Sequence, residues 1–325
     1  MNYKDILAVL CDGEMSNEEP VLSGVPQGTV LGPLLFLLFI NDIPSVVDPN
    51  TRCRLFADDC LVYRVVNSID DQVQLQRDLA TLETWSNMWG MQFNAKKCHV
   101  MSIHKGQSYK PYFYQLCGTI LKTVPQEKYL GVLISDDMSW SPHIKMITNK
   151  AYQRLGFIRR NLRGSPQACK QMAYTTLVRS GLEYASIIWD PHLKNDVDSM
   201  ERVQRKAARW VTSTNERHAS VTDLLCKLQW ETLEARRKQQ RLIFMYKVLN
   251  EQVAVPTKSI DLTLSARASR VSDNSQKLYK PRVTTTEFQN SFVHRTIPGW
   301  NTLPSSVAQA DTVSKFKCRL LAMKP

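Results

Sequence analysis

The spacing of apolar residues changes near residue 140, and this change constrains the fold more than any other feature of the sequence. Before it, short runs rich in β-branched and aromatic residues alternate with helical patterns; after it, helical patterns dominate to about residue 255. We therefore predict the α+β class. The expected domains are a mixed domain at 1–139, a helical domain at 140–255, and a linker with a small carboxyl-terminal element at 256–325.

The charge balance changes at the same place. Residues 1–139 contain 11 Lys and Arg against 16 Asp and Glu, and residues 140–325 contain 31 against 14, so the two parts carry −5 and +17. A basic part of this size is typical of proteins that bind a polyanion such as nucleic acid. The alternative is a solvated basic surface that keeps the chain in solution.

Cysteine usage and hydropathy exclude several classes of protein. The eight cysteines form no C-x-x-C pair and lie at no zinc-ligand spacing from the six histidines. The longest apolar stretch, Leu34 to Ile40, is far shorter than the ~20 residues needed to span a bilayer. We therefore expect reduced thiols, no membrane association and an intracellular location, nuclear or cytoplasmic; the oligomeric state stays open.

Two adjacent carboxylates interrupt a strand-like run at RLFADDCLVY, residues 54–63. The run predicts a β-hairpin over Cys53 to Val66 with Asp58 and Asp59 at its tip. Such a pair either holds a cation or forms a surface turn. Carboxylates suit Mg²⁺, or Mn²⁺, and two such ions would support nucleotidyl transfer. Because strand side chains alternate, Asp58 is the expected direct ligand and Asp59 the second ligand or its support.

A Gly/Pro-rich loop and an apolar helix precede the hairpin, in LSGVPQGTVLGPLLFLLFIN at 22–41. Glycines in such a loop let the backbone approach a ligand. Pro33 suits the first turn of a helix over Leu34 to Ile40, which is apolar nearly all round and is expected to lie buried.

Other patterns predict the elements that follow. Ser68 and Asp71 indicate a capping box before a long helix that ends near Gly90. Two strands are expected at His99 to His104 and Tyr129 to Ile134, the second bent at Gly131.

Two basic groups lie on the predicted helices after residue 140. Four cations, Arg202, Arg205, Lys206 and Arg209, follow helical spacing and share one face. A second group, on the next long helix, contains Arg236, Arg237, Lys238 and Arg241.

These motifs together resemble the reverse transcriptases of non-LTR, jockey-type retrotransposons. The resemblance is carried by SGVPQGTVLGPLLFLLFINDIP at 23–44 followed by FADD at 56–59. It continues with NAKKC at 94–98, YLGVLISDD at 129–137, EYASIIWDP at 183–191, ERVQRKAARWV at 201–211, FVHRTIPGWNTLP at 292–304 and FKCRLL at 316–321. It implies a partial polymerase palm, a helical thumb and a carboxyl-terminal element.

The resemblance also implies roles for single residues. Asp58 and Asp59 match the metal-binding pair, and Lys97 matches a lysine near the triphosphate, although as one of two adjacent lysines it could simply face solvent. The loop that contacts the incoming nucleotide and template is matched by Gly24, Pro26, Gln27 and Gly28. The implied partners are an RNA template, a DNA primer and a dNTP.

One family feature is missing from the sequence. A further aspartate, on a strand upstream of the Gly-Val-Pro-Gln-Gly loop, supplies another metal ligand in the family, and neither Asp5 nor Asp12 can be assigned to it. We therefore expect a carboxyl-terminal portion of such a polymerase that has little or no activity alone. The alternatives are a non-catalytic nucleic-acid-binding remnant that uses the basic helices, and a relic that does not fold stably.

Overall fold

The computed structural model describes residues 5–8, 10–21, 28–104, 112–214, 220–255, 257–260, 262–265, 274, 276–283 and 285–323. The chain divides into two compact units, 1–125 and 126–325, and each is described by itself. Helices and strands are both present, which is consistent with the predicted α+β class. The domain boundaries after residues 139 and 255 stay predictions.

The first unit combines short strands with two helices. In chain order its elements are β1 Asp5–Leu7, β2 Leu10–Cys11, β3 Glu14–Met15, β4 Glu19–Val21, α1 Gly32–Ile40, β5 Thr51–Phe56, β6 Asp59–Arg64, α2 Ile69–Met88, β7 His99–Val100, β8 Gln115–Leu116, β9 Thr119–Ile120 and β10 Lys122–Thr123. Strands β1 and β4, β2 and β3, β5 and β6, and β8 and β9 pair antiparallel, whereas β7 and β10 pair parallel. Helix α2 begins with the predicted capping box of Ser68 and Asp71.

Helix α1 differs from its prediction. Only Gly32 and Ile40 are buried, whereas Leu34, Leu35 and Leu38 expose 53%, 49% and 65% of their surface. The core that Ile40 joins consists of Ile43, Val47, Cys53, Leu82 and Trp85. The predicted burial of the whole helix is therefore wrong for the described part of the chain, because this core covers a single face.

The second unit is mostly helical. Its elements are β11 Gln126–Tyr129, β12 Val132–Ser135, α3 Ser141–Asn161, α4 Gln167–Ala173, a π-helical turn Tyr174–Arg179, α5 Ser180–Glu183, α6 Ser186–Trp189, α7 Lys194–Val211, α8 Val221–Lys227, α9 Leu233–Leu249, α10 Thr286–Gln289, α11 Phe292–Asn301, α12 Ser305–Ala308 and α13 Val313–Ala322. None of the helices in the described ranges is long and apolar enough to cross a membrane.

Two of the predicted strands have other forms. The stretch from Tyr129 to Ile134 is the turn and second strand of a hairpin, with Leu130 and Gly131 at φ 46° and 86° between β11 and β12. Two consecutive left-handed residues reverse the chain rather than bend it. The strand expected over His99 to His104 is limited to His99–Val100.

Two apolar cores stabilise the second unit. The first joins α3, α6 and α7 around Leu155, Trp189 and Met200. The second joins α9, α11 and α13, where Trp300 and Phe316 are fully buried. The segment predicted as a linker contributes Leu262 and Leu278 to the second core, so its described residues pack against the helices.

His143, on α3, is a buried titratable group of the first of these cores. Its Nδ1 accepts a hydrogen bond from the backbone N–H of Leu133 at 3.1 Å, and its ring centroid lies 5.1 Å from that of Trp189. Burial, together with the charge of Lys150, lowers the pKa of the imidazole from 6.5 to about 4. The imidazole is therefore neutral at pH 7.

The stability of the second unit should accordingly depend on pH. Between about pH 4 and pH 6.5 the imidazole of His143 is protonated in the unfolded chain and neutral in the folded chain. Its contribution to the free energy of unfolding is therefore complete above pH 6.5 and is lost as the pH falls toward 4. We expect the free energy of unfolding to fall by up to about 3 kcal/mol across this window. Urea titrations at a series of pH values measure it, with His143→Gln as the non-titrating control. Equal pH dependence in both proteins would contradict the assignment.

Candidate catalytic hairpin and basic helical face

The β5–β6 hairpin places the acidic pair at a tight turn, as the sequence predicts. Its register runs from Thr51 opposite Arg64 to Phe56 opposite Asp59, so Ala57 and Asp58 form a two-residue turn. Ala57 has a φ of 49°, in the left-handed region that glycine normally occupies. A strained residue of this kind occurs often at functional sites.

Asp58 and Asp59 are both exposed. Within the described ranges, neither side chain has a hydrogen-bond or ion-pair partner. Asp58 occupies the second turn position and Asp59 begins β6, on the outward face with Phe56. Their oxygens are therefore free to bind a cation from solvent.

The base of the hairpin is anchored to α2 by an ionic network. Asp78, which is 2% exposed, accepts hydrogen bonds from the Thr51 hydroxyl at 2.5 Å and the Asp48 N–H at 3.0 Å. Arg64 pairs with Asp48 at 2.8 Å and with Asp71 at 3.2 Å. The hydrogen bond from Arg64 lowers the pKa of Asp48, so this carboxyl stays ionised to lower pH than usual. The network fixes the hairpin at its open end.

The remaining predicted residues of the site are only partly described. Lys97 is exposed and ends the 3₁₀ turn Ala95–Lys97, and no ion pair joins it to either hairpin carboxylate in the part of the chain that is described. Gly28 has a φ of 80°, which favours glycine. Gly24, Pro26 and Gln27 lie outside the described residues.

The hairpin carboxylates fit Mg²⁺ by number and type. This ion commonly takes one or two protein carboxylates and completes its shell with water and phosphate oxygens. Among the described residues, no three His, Cys, Asp or Glu side chains come together as a metal site. Any ion at the tip of the hairpin would therefore depend on ligands beyond the two aspartates.

Helix α7 presents its four predicted cations to solvent. Arg202, Arg205, Lys206 and Arg209 are all exposed, while the opposite face, with Met200 and Val203, is fully buried. Lys206 lies with its Nζ 5.3 Å from the ring centroid of Tyr152. The helix therefore carries a continuous positive surface about two turns long.

The second basic group does not form such a surface. Arg237 is 1% exposed and donates to Asp190 Oδ1 at 2.7 Å. Arg241 is 9% exposed, with its Nε 3.1 Å from Asp190 Oδ2, and Arg236 pairs with Glu183. The helical spacing places these three arginines on a face of α9 that points inward. They therefore stabilise the fold through ion pairs and do not present a positive surface to solvent.

A cavity of about 160 Å³ lies between the β11–β12 turn and helices α3 and α5. Its lining includes Gly131, His143, Lys150, Arg154 and Tyr184. The Tyr184 hydroxyl donates to Leu130 O at 3.0 Å and closes one side. The cavity therefore lies beside the turn within YLGVLISDD at 129–137, one of the stretches that carry the resemblance.

Comparisons with known proteins agree with the motifs. Residues 2–134 match the family described as "Reverse transcriptase (RNA-dependent DNA polymerase)". The chain is 31% identical over 204 residues to the "Probable RNA-directed DNA polymerase from transposon BS" of Drosophila melanogaster, covering 58% of this chain and 22% of that protein. It is 27% identical over 240 residues to the "RNA-directed DNA polymerase from mobile element jockey" of the same species, covering 68% and 26%.

The β5–β6 hairpin with its acidic pair lies inside residues 2–134, the part of the chain that is similar to reverse transcriptases. The chain spans about a quarter of the length of these two relatives. A third relative, the jockey polymerase of Drosophila funebris, is 25% identical over 215 residues, covering 63% of this chain and 23% of that protein. The chain is thus similar to the polymerases of jockey-type retrotransposons, which confirms the resemblance seen in the motifs.

Proposed function

We propose that this chain forms part of an RNA-directed DNA polymerase that extends a DNA primer on an RNA template. The observation that carries the proposal is the exposed pair Asp58 and Asp59, which have no partner among the described residues and lie at the tip of an anchored hairpin. The match of residues 2–134 to reverse transcriptases supports it. Residues 1–139 would form part of the palm, 140–255 the thumb, and 256–325 a linker and terminal element.

The proposed roles of the residues follow from charge and position. Asp58 holds a divalent cation directly and Asp59 is the second ligand or orients the first. Reverse transcriptases generally use Mg²⁺, and Mn²⁺ suits the same oxygen ligands. When bound, such ions activate a 3′-hydroxyl and neutralise the leaving pyrophosphate. Lys97 would give a proton to that pyrophosphate, and the loop with Gly24, Pro26, Gln27 and Gly28 would contact the dNTP and template.

The α7 surface of Arg202, Arg205, Lys206 and Arg209 would follow the template–primer duplex. Four exposed cations on one helical face can neutralise several phosphates of a polyanion. Contacts to phosphate position a duplex without reading its sequence. Binding should therefore weaken with salt and be indifferent to sequence. These partners imply an intracellular location, nuclear or cytoplasmic.

Primer extension tests whether the 325-residue chain polymerises by itself. We expect extension at or near background, because the described residues supply no third ligand close to Asp58 and Asp59 and incomplete positioning of reactants is costly. The assay uses an RNA template, a DNA primer, dNTPs and either Mg²⁺ or Mn²⁺, with Asp58→Ala as the matched control. Robust extension that Asp58→Ala abolishes would contradict the expected inactivity and establish the enzyme.

A second candidate function is nucleic-acid binding without catalysis. Two observations favour it: the four cations of α7 in the second unit are exposed, and the acidic pair of the first unit lacks a third ligand in the described ranges. Residual extension above background that Asp58→Ala removes would favour the polymerase. Equal background extension from both proteins, combined with salt-dependent binding, shows that this chain binds nucleic acid without catalysis.

A further inference from the structure

Two thiols lie against each other on the inner face of the β5–β6 hairpin. The Sγ atoms of Cys53 and Cys60 are 3.6 Å apart. Leu55 is the cross-strand partner of Cys60 and lies two residues after Cys53, so all three side chains project from the same face. Cys53 is buried at 6% exposure, whereas Cys60 is exposed and follows Asp59 directly.

We propose that Cys53 and Cys60 form an oxidisable pair that closes to an intramolecular disulfide when the chain meets a small disulfide oxidant such as oxidised glutathione. A disulfide has an S–S distance of about 2.05 Å, so the sulfur atoms must approach by roughly 1.5 Å. Rotation of the two side chains and a small movement of the strands supply such a shift. The inference does not depend on the proposed polymerase function.

The reaction takes two exchange steps. The oxidant can reach Cys60, because this thiol is exposed. Cys60 loses its proton to solvent and attacks one sulfur of oxidised glutathione, and one glutathione thiolate is released. The Cys53 thiolate then attacks the Cys60 sulfur and releases the second glutathione thiolate, which breaks the mixed disulfide and forms the protein disulfide. The two cysteines lose two electrons, glutathione gains them, and the two protons pass to the released thiolates.

The exposure of the two thiols suits this order of steps. Cys60 is exposed, so a small oxidant reaches it first, whereas Cys53 is buried at 6% exposure. The second step should follow quickly, because the Sγ of Cys53 already lies 3.6 Å from that of Cys60.

The position of the pair gives the disulfide a structural effect. It would join β5 to β6 across the turn that contains Ala57, Asp58 and Asp59. A two-stranded hairpin is marginally stable by itself. A covalent link near its tip should restrict opening of the strands and slow amide hydrogen exchange there.

Peptide mass spectrometry tests the proposal on the 325-residue chain. The chain is incubated with oxidised glutathione, alkylated and digested with trypsin without reduction. We expect Cys53–Arg54 joined to Leu55–Arg64, lighter than the two peptides by two hydrogens. The rate should be about tenfold or more above that of the chain in urea, because folding holds the sulfur atoms together.

Single variants separate this pair from the other thiols. Cys60→Ser and Cys53→Ser should each abolish the link, whereas Cys169→Ser, which changes an exposed thiol on α4, should leave its rate unchanged. The inference is overturned if the folded chain carries only glutathione on Cys60 with no linked peptide. It is equally overturned if the link forms no faster in the folded chain than in urea.

Discussion

Replacement of Asp190 by alanine should lower the free energy of unfolding of the second unit by about 3–5 kcal/mol. Asp190 lies between α6 and α7, and its carboxylate receives three arginines, Arg237, Arg241 and Arg295, at 2.7, 3.1 and 3.2 Å. Arg237 and Arg241 are buried on α9. Loss of the carboxylate would leave two buried guanidinium groups without their charge partner.

The effect should be large because Asp190 connects elements of both apolar cores. Trp189, the neighbour of Asp190, belongs to the core around α3 and α7. Leu242 directly follows Arg241 on α9 and Ile297 lies two residues after Arg295 on α11, and both belong to the core around α13. Burial also lowers the pKa of Arg241, with the charge of Asp190 opposing this shift. The cluster therefore depends on the aspartate more than on any single arginine.

Urea unfolding, followed by circular dichroism, measures the loss. The matched control is Asp198→Ala, which removes an exposed pair with Lys194 at 3.9 Å and should cost under about 1 kcal/mol. If Asp190→Ala lowers the free energy of unfolding no more than the control does, the three arginines find other partners and the prediction is contradicted.

Neutralisation of the α7 surface should produce the second large effect, on nucleic-acid binding. The variant Arg202→Gln, Arg205→Gln, Lys206→Gln and Arg209→Gln keeps side-chain length and removes four charges. Each phosphate contact contributes about 0.7–0.9 to the slope of log affinity against log salt, so this slope should fall by about 3. Affinity at low salt should drop by about a hundredfold or more.

Fluorescence anisotropy with an RNA–DNA duplex over a salt series measures both quantities. The control variant neutralises four other exposed cations, Lys145, Arg163, Lys227 and Lys317, for the same change in net charge. The difference between the two variants tests whether binding depends on the position of the charges on α7 or only on net charge. Equal losses in the two variants would contradict a specific α7 surface.

Periodicity and local turn chemistry predicted much of the fold. The hairpin at residues 51–64, the capping box of Ser68 and Asp71, and the shared exposed face of the four α7 cations agree with the structure. Each depends on neighbours within a few residues, so the pattern of the sequence contains the necessary information.

Features that depend on distant partners were missed. Helix α1 is apolar on all sides, so its sequence pattern does not indicate which face packs against a core. The arginines of α9 look like a surface in sequence because their partner, Asp190, lies 47 residues from Arg237. The break at Asp190-Pro191, followed by clustered arginines, was the available signal for this ionic cluster.

In the candidate site, too, local features were predicted and contacts with distant residues were missed. The turn that contains Asp58 was predicted correctly, because its register follows from alternation along two adjacent strands. Its anchoring through Arg64, Thr51 and Asp78 was missed, since these contacts join the hairpin to a helix. The roles of Asp58, Asp59 and Lys97 stay predictions.

Binding of a divalent cation at the tip of the hairpin is the central claim, and iron-mediated cleavage tests it most directly. Fe²⁺ replaces Mg²⁺ at oxygen ligands, and with ascorbate and peroxide it cleaves the backbone close to where it binds. The acidic pair Asp136 and Asp137, which follows β12, is a matched control. We expect cleavage between Phe56 and Leu61 that Asp58→Asn with Asp59→Asn abolishes, and none beyond background near Asp137. Cleavage that persists in this double variant, or that is equal at both acidic pairs, would contradict the claim.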